Sequence, residues 1–325
     1  MTQQNLVEAI NSALHDEMGR DSRVMVLGLD VGRLGGVFRA TSGLLEKYGS
    51  DRVVDTPLAE ASIVGAALGL ALSGMIPVAE IQFLGFTAQA FHQIGPQLAK
   101  YRSRSRGRYH GQVTIRAPFG GGIRSPEFHS DAVEAWFVQS PGIKVVMPSN
   151  PYDAKGLLLE AIRDPDPVLF CEPDRLYRHS RADVPDGDYT IPFGQAALVR
   201  EGDDATLVAW GAAVELCTRA AEQLASEGIS VAIVDLRTLV PFDCETLVKA
   251  VAHTGRCIVV HEAPLSAGFG AEVVATLVEE AFYDLDAPVA RVASYDVPYP
   301  PANMEQWYLP SVDKIVAAVR KTLST

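Results

Sequence analysis

Apolar residues in this chain fall in short, nearly unbroken runs rather than in strict alternation with polar ones. Runs at Arg23–Val31, Ile76–Phe83, Val113–Ala117, Ile143–Pro148 and Val168–Glu172 are each bounded by turn residues and predict strands. Between them, Pro57–Ser73, Thr87–Arg102, Asp131–Ser140 and Tyr152–Arg163 predict helices, and Leu6, Val7, Ile10 and Leu14 have helical spacing near the start. Strands that are apolar on both faces and alternate with helices imply a parallel sheet covered on both sides.

Ser180–Pro192 (SRADVPDGDYTIP) breaks this rhythm with a polar stretch that has no helical period. The alternation then restarts. Strands are predicted at Ala205–Trp210, Ser230–Asp235, Cys257–His261 and Pro288–Val292, with helices at Ala212–Glu227, Cys244–His253, Ala271–Tyr283 and Val312–Leu323. The reading is two doubly wound α/β domains, residues 1–180 and 193–325, joined by a linker at 181–192. A length of 325 residues suits two domains, and 48% hydrophobic content excludes intrinsic disorder.

One stretch, Ala61–Ala79, is uncharged and long enough to span a bilayer, but Gly74 and Pro77 interrupt it. A buried helix followed by a strand fits it better, so no membrane association is expected. Charge narrows the partners further: 28 Lys and Arg against 40 Asp and Glu leave a net −12, which opposes nucleic acid and anionic membrane alike. Cys171, Cys217, Cys244 and Cys257 have no C-x-x-C or zinc spacing and read as small buried hydrophobes. With no apolar leader block at the start, the expectation is a soluble, cytoplasmic protein.

Several local motifs have two readings. Gly32-x-x-Gly35-Gly36 and Gly268-Phe269-Gly270 follow strands but complete neither a dinucleotide fingerprint nor a phosphate loop, so they read as tight turns. Lys100, Arg102, Arg104, Arg106, Arg108 and His110, interleaved with Tyr101 and Tyr109, form a basic segment that suits a solvated or interface loop. In DTPLAE (55–60), Thr56 suits a helix N-cap and Pro57 the first helical position. Glu60 then either complements the helix dipole or stands in an apolar wall, where a carboxyl group holds a proton more readily than in water. His129 follows Gly120-Gly121-Gly122-Ile123-Arg124-Ser125-Pro126; it is either a surface residue or a catalytic one, with the glycines letting backbone pass close to a ligand or another chain.

An ordered set of segments then carries a resemblance along essentially the whole chain: LDVGRLGGVFRAT (29–41), DTPLAE (55–60), EIQF (80–83), RAPFGGG (116–122), FHSD (128–131), NPYDAKGLL (150–158), DPDPVLF (164–170), VDLRTLVPFD (234–243) and HEAP (261–264). The chain resembles the β subunits of thiamine-diphosphate-dependent 2-oxo acid dehydrogenase E1 components. The resemblance implies a pyrimidine-binding domain followed by a transketolase C-terminal-like domain. It implies Glu60 at N1′ of the aminopyrimidine, cofactor contacts from Leu58 and Gln82, Phe86 against the pyrimidine ring, and His129 assisting substrate handling and acyl transfer. It further implies a K⁺ site at Gly111, Val113, Thr114, Ala161, Asp164 and Asp166.

The G-D-G motif with which the other subunit of such enzymes holds Mg²⁺ and the diphosphate is absent here; Asp186-Gly187-Asp188 is its reverse. An E1 α partner in an α₂β₂ heterotetramer is therefore implied, and a lipoyl-bearing E2 as acceptor. The family usually has glutamate where this chain has Leu29, and aspartate where it has His92. HEAP and Tyr295-Asp296-Val297-Pro298 resemble branched-chain enzymes, Glu127-Phe128-His129-Ser130-Asp131 pyruvate enzymes; the balance tips slightly to branched-chain. The rival readings are an acetoin dehydrogenase β chain and a non-catalytic scaffold subunit, and the presence of Glu60 counts against the scaffold.

Overall fold

A computed structural model describes residues 1–325. Its strands, in chain order, are β1 (Thr2–Gln4), β2 (Val24–Gly28), β3 (Val53–Asp55), β4 (Ile76–Glu80), β5 (Thr114–Phe119), β6 (Lys144–Val146), β7 (Val168–Pro173), β8 (Ala182–Val184), β9 (Ala197–Arg200), β10 (Ala205–Ala209), β11 (Val231–Asp235), β12 (Thr238–Val240), β13 (Cys257–Pro264) and β14 (Ala290–Ser294). Every residue of β2, β4, β5 and β7 is buried, which is why their sequences run apolar without alternation.

The larger sheet has the order β12-β6-β7-β5-β4-β2-β3, and the second β14-β13-β10-β11-β9. All pairings in both are parallel except those of the edge strands β12 and β9, which run antiparallel to β6 and β11. The expected α/β architecture of two doubly wound sheets is thus present, with two departures. Strand β12 comes from the second half of the chain yet closes the edge of the first sheet. The polar stretch after residue 180 contains β8, which pairs antiparallel with β1 and so satisfies backbone groups that would otherwise rely on water.

A core of 34 buried residues runs from the first sheet into the second, joining Leu27, Ile81, Ile115 and Phe137 to Val208, Trp210, Val259 and Phe269. The two sheets therefore share apolar packing instead of meeting through a polar seam. A second core packs the helix Leu6–Arg20 and the helix Pro151–Arg163 against the other face of the first sheet. No helix is long and apolar enough to cross a membrane.

Three predicted helices change form; that expected at Asp131–Ser140 shrinks to a single turn, Ala135–Val138. The one expected at Pro57–Ser73 runs over Glu60–Leu72 with Ala59, not Thr56, in the capping position. The Thr56 N–H donates to the Gly28 carbonyl at 2.9 Å, which prolongs the β2–β3 pairing, and its hydroxyl donates to the Pro57 carbonyl at 3.1 Å, not capping the helix. The helix expected over Thr87–Arg102 is a 3₁₀ segment (Leu84–Ala90), a π-helical segment (Gln93–Ala99) and a short α turn (Tyr101–Arg104). Pro96 lies inside the π segment; it lacks an N–H and cannot continue a regular i→i−4 ladder.

Candidate active site

In the first sheet the chain passes from β2 to β3 on one side and then crosses back to β4 on the other. Such a reversal opens a crevice beyond the carboxyl ends of the strands. Gly28 pairs with Asp55 and Glu80, and Glu80 with Arg116, so these strand ends lie level. Three loops leave from them. Asp55 anchors the turn after β2, its carboxylate accepting from Gly32 N at 2.6 Å and Arg33 N at 3.2 Å.

The crevice forms a cleft of ≈ 630 Å³ lined by Leu58, Ala59, Glu60, Ala61, Gly85, Phe86, Ala88, Gln89 and Phe128. Glu60 is the sole ionisable residue in this lining and is 9% exposed. Leu58 and Phe128 are 64% and 50% exposed, so the apolar wall faces outward. His129 sits one layer behind that wall. Its ring lies 4.5 Å from Phe83, 5.1 Å from Phe86 and 4.6 Å from Phe128, centroid to centroid, and its Nδ1 is buried without a hydrogen-bond partner. Of the expected cofactor contacts, Leu58, Glu60 and Phe86 meet in one cleft. Gln82 is half-buried on the segment leaving β4 and lies outside the lining.

Beneath the crevice lies a buried ion cluster that the sequence reading missed. Arg116 donates Nε and Nη2 to the Glu172 carboxylate at 2.7 and 3.0 Å, and Nη1 to Glu80 at 2.8 Å. Tyr177 donates its hydroxyl to Glu172 at 2.5 Å. Burial works against the guanidinium's charge, but Glu172 and Glu80 outweigh it and raise its pKa; desolvation pushes the Glu80 carboxyl up despite Arg116. The available signal was a charge inside each of three otherwise apolar strands: Glu80 in IPVAE, Arg116 in TIRAPF and Glu172 in VLFCEP.

The expected K⁺ residues gather where β5 begins and the helix Pro151–Arg163 ends. Both aspartates are already engaged: Asp164 accepts from Lys144 Nζ at 2.7 Å and from Asp166 N at 2.8 Å, and Asp166 from Arg102 at 2.5 Å. The Ala161 carbonyl, by contrast, lacks its helical donor because Pro165 stands four residues on. The basic segment forms one concave side of a cleft of ≈ 1000 Å³ lined by Lys100, Arg102, Arg104, Arg106 and Lys144 against Asp166. Of the two departures from the family pattern, Leu29 is half-buried just after β2, and His92 is exposed and hydrogen-bonded to Gln97 at 2.9 Å.

Glu134 precedes the short helix after His129 and is buried against the second sheet, where its Oε1 accepts from Trp210 Nε1 at 3.4 Å. Burial, with a smaller push from Glu262, raises its pKa to about 7. As pH climbs from the usual carboxylate range toward 7, only the unfolded chain releases this proton, so the native state loses stability over that window. Glu134→Gln removes the titration. Its stability relative to the parent should therefore rise by about 2–3 kcal/mol between about pH 5 and pH 8, measured by urea unfolding. A difference that stays flat with pH would contradict this account.

Comparison with known proteins accords with the geometry. The transketolase pyrimidine-binding domain family matches residues 2–180, and the transketolase C-terminal domain family residues 194–315. The chain is 50% identical to a Staphylococcus epidermidis protein named pyruvate dehydrogenase E1 component subunit beta, and 49% identical to the Bacillus subtilis protein of that name, covering 99% of both chains in each case. A solved structure titled split gene transketolase, inactive beta4 tetramer, superposes with a TM-score of 0.81 at 27% identity over 99% of both chains. Sharing both transketolase modules in order, and half its residues with these subunits from end to end, the chain belongs to the family of 2-oxo acid dehydrogenase E1 β subunits.

Proposed function

We propose that this chain builds the pyrimidine-binding half of a thiamine diphosphate site and acts, with an α chain, in oxidative decarboxylation of a 2-oxo acid and acyl transfer to a lipoyl-bearing E2. The observation that carries this is Glu60, the sole ionisable residue in a largely apolar open cleft at the sheet's crevice. An aminopyrimidine has flat apolar faces and polar edges, and the lining offers Phe86, Leu58 and Phe128 for the faces and a single carboxyl for the ring nitrogen N1′. When bound, thiamine diphosphate supplies the nucleophilic carbon and the electron sink for loss of CO₂. Glu60 shares a proton with the ring nitrogen. Phe86 and Phe128 exclude water. His129, its Nδ1 free of any protein partner, handles substrate and the departing acyl group.

The metal and diphosphate fall to the α chain. No group of three or more His, Cys, Asp or Glu side chains in this chain is placed to hold a metal ion, so Mg²⁺ has no ready-made set here. A K⁺ ion at the expected position would depend on main-chain oxygens such as that of Ala161, since Lys144 and Arg102 occupy the aspartates. Partner cover is also supported by the helix Glu60–Leu72, which is apolar nearly all round yet exposes Ser62, Gly65, Ala66 and Gly69. An unpaired apolar helix face of this kind is closed by another chain. The net charge of −12 suits docking of the second domain to a basic E2 segment.

The test is decarboxylation with an artificial electron acceptor, thiamine diphosphate and Mg²⁺, using this chain alone and mixed with its α-type partner. Activity is expected only in the mixture. Activity of this chain alone would overturn the shared site, and silence in both would revive the scaffold reading. Pyruvate and 2-oxoisovalerate run side by side separate the substrate classes: the names of the full-length relatives favour pyruvate, HEAP and Tyr295–Pro298 the branched-chain acid. Acetoin as a third substrate tests the remaining rival.

A further inference from the structure

The glycines of the His129 loop serve a purpose that neither a ligand nor another chain explains. Gly121 N donates to Glu262 Oε2 at 3.2 Å and Gly122 N to Glu305 Oε1 at 2.9 Å, so two carboxylates of the second domain hold the start of the loop. Tyr299 donates its hydroxyl to the same Glu305 oxygen at 2.6 Å. Glu262, Tyr299 and Glu305 are all buried. A Cβ on Gly120 would stand 2.4 Å from Glu262 Oε2, and one on Gly121 would stand 2.1 Å from the Tyr299 hydroxyl oxygen. Gly120 and Gly122 also have φ of 95° and 104°. Only glycine permits both the backbone angles and the approach. Farther along, Ser125 and Ser130 hydroxyls bond across the loop at 2.7 Å, closing it into a compact unit with His129 near its end.

We propose that Glu262, Tyr299 and Glu305 are positioning residues that let the second domain set the place of His129 in the cleft of the first. Placing two carboxylates under backbone N–H groups in a dry interface is costly unless the bonds are kept, so the loop has little freedom to drift. Burial pushes the Glu262 carboxyl up, and Arg175, 3.5 Å away, and the Gly121 N–H work against that shift. The same contacts make the domain interface and the loop one mechanical unit. A shift of the second domain then moves His129 relative to Phe86 and Glu60.

The inference rests on His129 acting in acyl handling, and the experiment separates the two ideas. The complex is reconstituted with Glu305→Ala, Glu305→Gln or Tyr299→Phe, and two quantities are read. The first, independent of activity, is amide hydrogen exchange across 120–131. Glu305→Ala should speed exchange at Gly122 by at least about tenfold, since the local opening energy falls by the lost bond. The second is turnover. In Glu305→Ala, kcat for acylation of a lipoyl domain should fall by about 10²-fold, as expected for a displaced catalytic group, with KM for the 2-oxo acid little changed. Glu305→Gln keeps an oxygen acceptor at Oε1 and should stay within about threefold of the parent in both readouts, with Tyr299→Phe intermediate.

Unchanged exchange in Glu305→Ala and Tyr299→Phe overturns the clamp. Faster exchange with unchanged kcat keeps the clamp and refutes the role given to His129. Glu305→Gln failing like Glu305→Ala would show that charge, not loop position, matters, and would also overturn the proposal.

Discussion

Glu60→Ala, in the complex completed by the α chain, is expected to lower kcat by about 10²–10⁴-fold, the usual contribution of a positioned acid–base group. Glu60 is the first residue of its helix, so the alternative role is to complement the helix dipole. That role is worth only about 0.3–1 kcal/mol of stability and nothing in turnover. The two readings therefore diverge by orders of magnitude in one assay. Glu60→Gln sharpens the comparison: it preserves size and a hydrogen-bonding oxygen but cannot hold a carboxyl proton. It should be nearly as inactive as alanine while binding thiamine diphosphate more tightly than the alanine variant. Full activity in Glu60→Ala would remove the basis of the proposed mechanism, because no other ionisable residue lines the cleft.

The largest effect on stability should come from Arg116→Met. The guanidinium is 1% exposed and is the bridge between Glu80 and Glu172, which are 5% and 0% exposed. Removing it leaves two buried carboxylates facing each other without a counter-ion, a change that costs about 3–5 kcal/mol. Against a total stability of about 5–15 kcal/mol, that is a large fraction of what holds the native state. The loss should depend on pH with a definite sign. Glu80 is already pushed up by burial, and without Arg116 it is pushed further. An acid whose folded pKa exceeds its unfolded value stabilises the native state as pH falls, so acid should partly rescue the variant. Replacing all three, as Arg116→Met with Glu80→Gln and Glu172→Gln, should recover much of the loss, since a neutral core need not solvate charge. Chemical unfolding at two pH values checks both claims. A single-variant cost below about 1 kcal/mol would mean that water reaches the cluster, as it does for surface pairs.

Both expectations concern the same strand ends, and they explain each other's placement. The strand-end charges hold the floor of the crevice rigid, while the helix that begins with Glu60 rises beside it. The clamp on the His129 loop adds a third fixed point from the other domain. Under the proposed mechanism, the cleft is thus supported from below by ion pairs and from the side by buried carboxylates, and its outward apolar face is left for an α chain.

Much of this was legible in the sequence for local reasons. Whether a run such as VMVLG or VLFCEP becomes a buried parallel strand depends on its own residues, because a strand apolar on both faces has no stable place at a wet surface. DTPLAE pointed to Glu60 because an acid opening an apolar helix is conspicuous in the chain itself. The helix boundary was misjudged because Thr56 looks like a cap locally, whereas sheet pairing with Gly28 holds it extended at the end of β3. The expected helix over Thr87–Arg102 failed at Pro96, a signal that was present but outweighed by the apolar spacing around it.

By itself the sequence determined the alternation of strands and helices, the two-sheet architecture, the identity of the acid in the cleft and, through an ordered set of motifs, the family. Tertiary structure alone decided what each buried charge faces. Glu262 and Glu305 meet Gly121 and Gly122 across 141 and 183 residues of chain, β12 joins a sheet begun two hundred residues earlier, and Arg116 finds its partners on either side only after three strands are laid level. Periodicity follows from backbone geometry within a few residues, so it can be read along the chain. Hydrogen bonds and ion pairs act over about 3 Å in space, whatever the separation in sequence, and so exist only once the fold has chosen which distant segments touch.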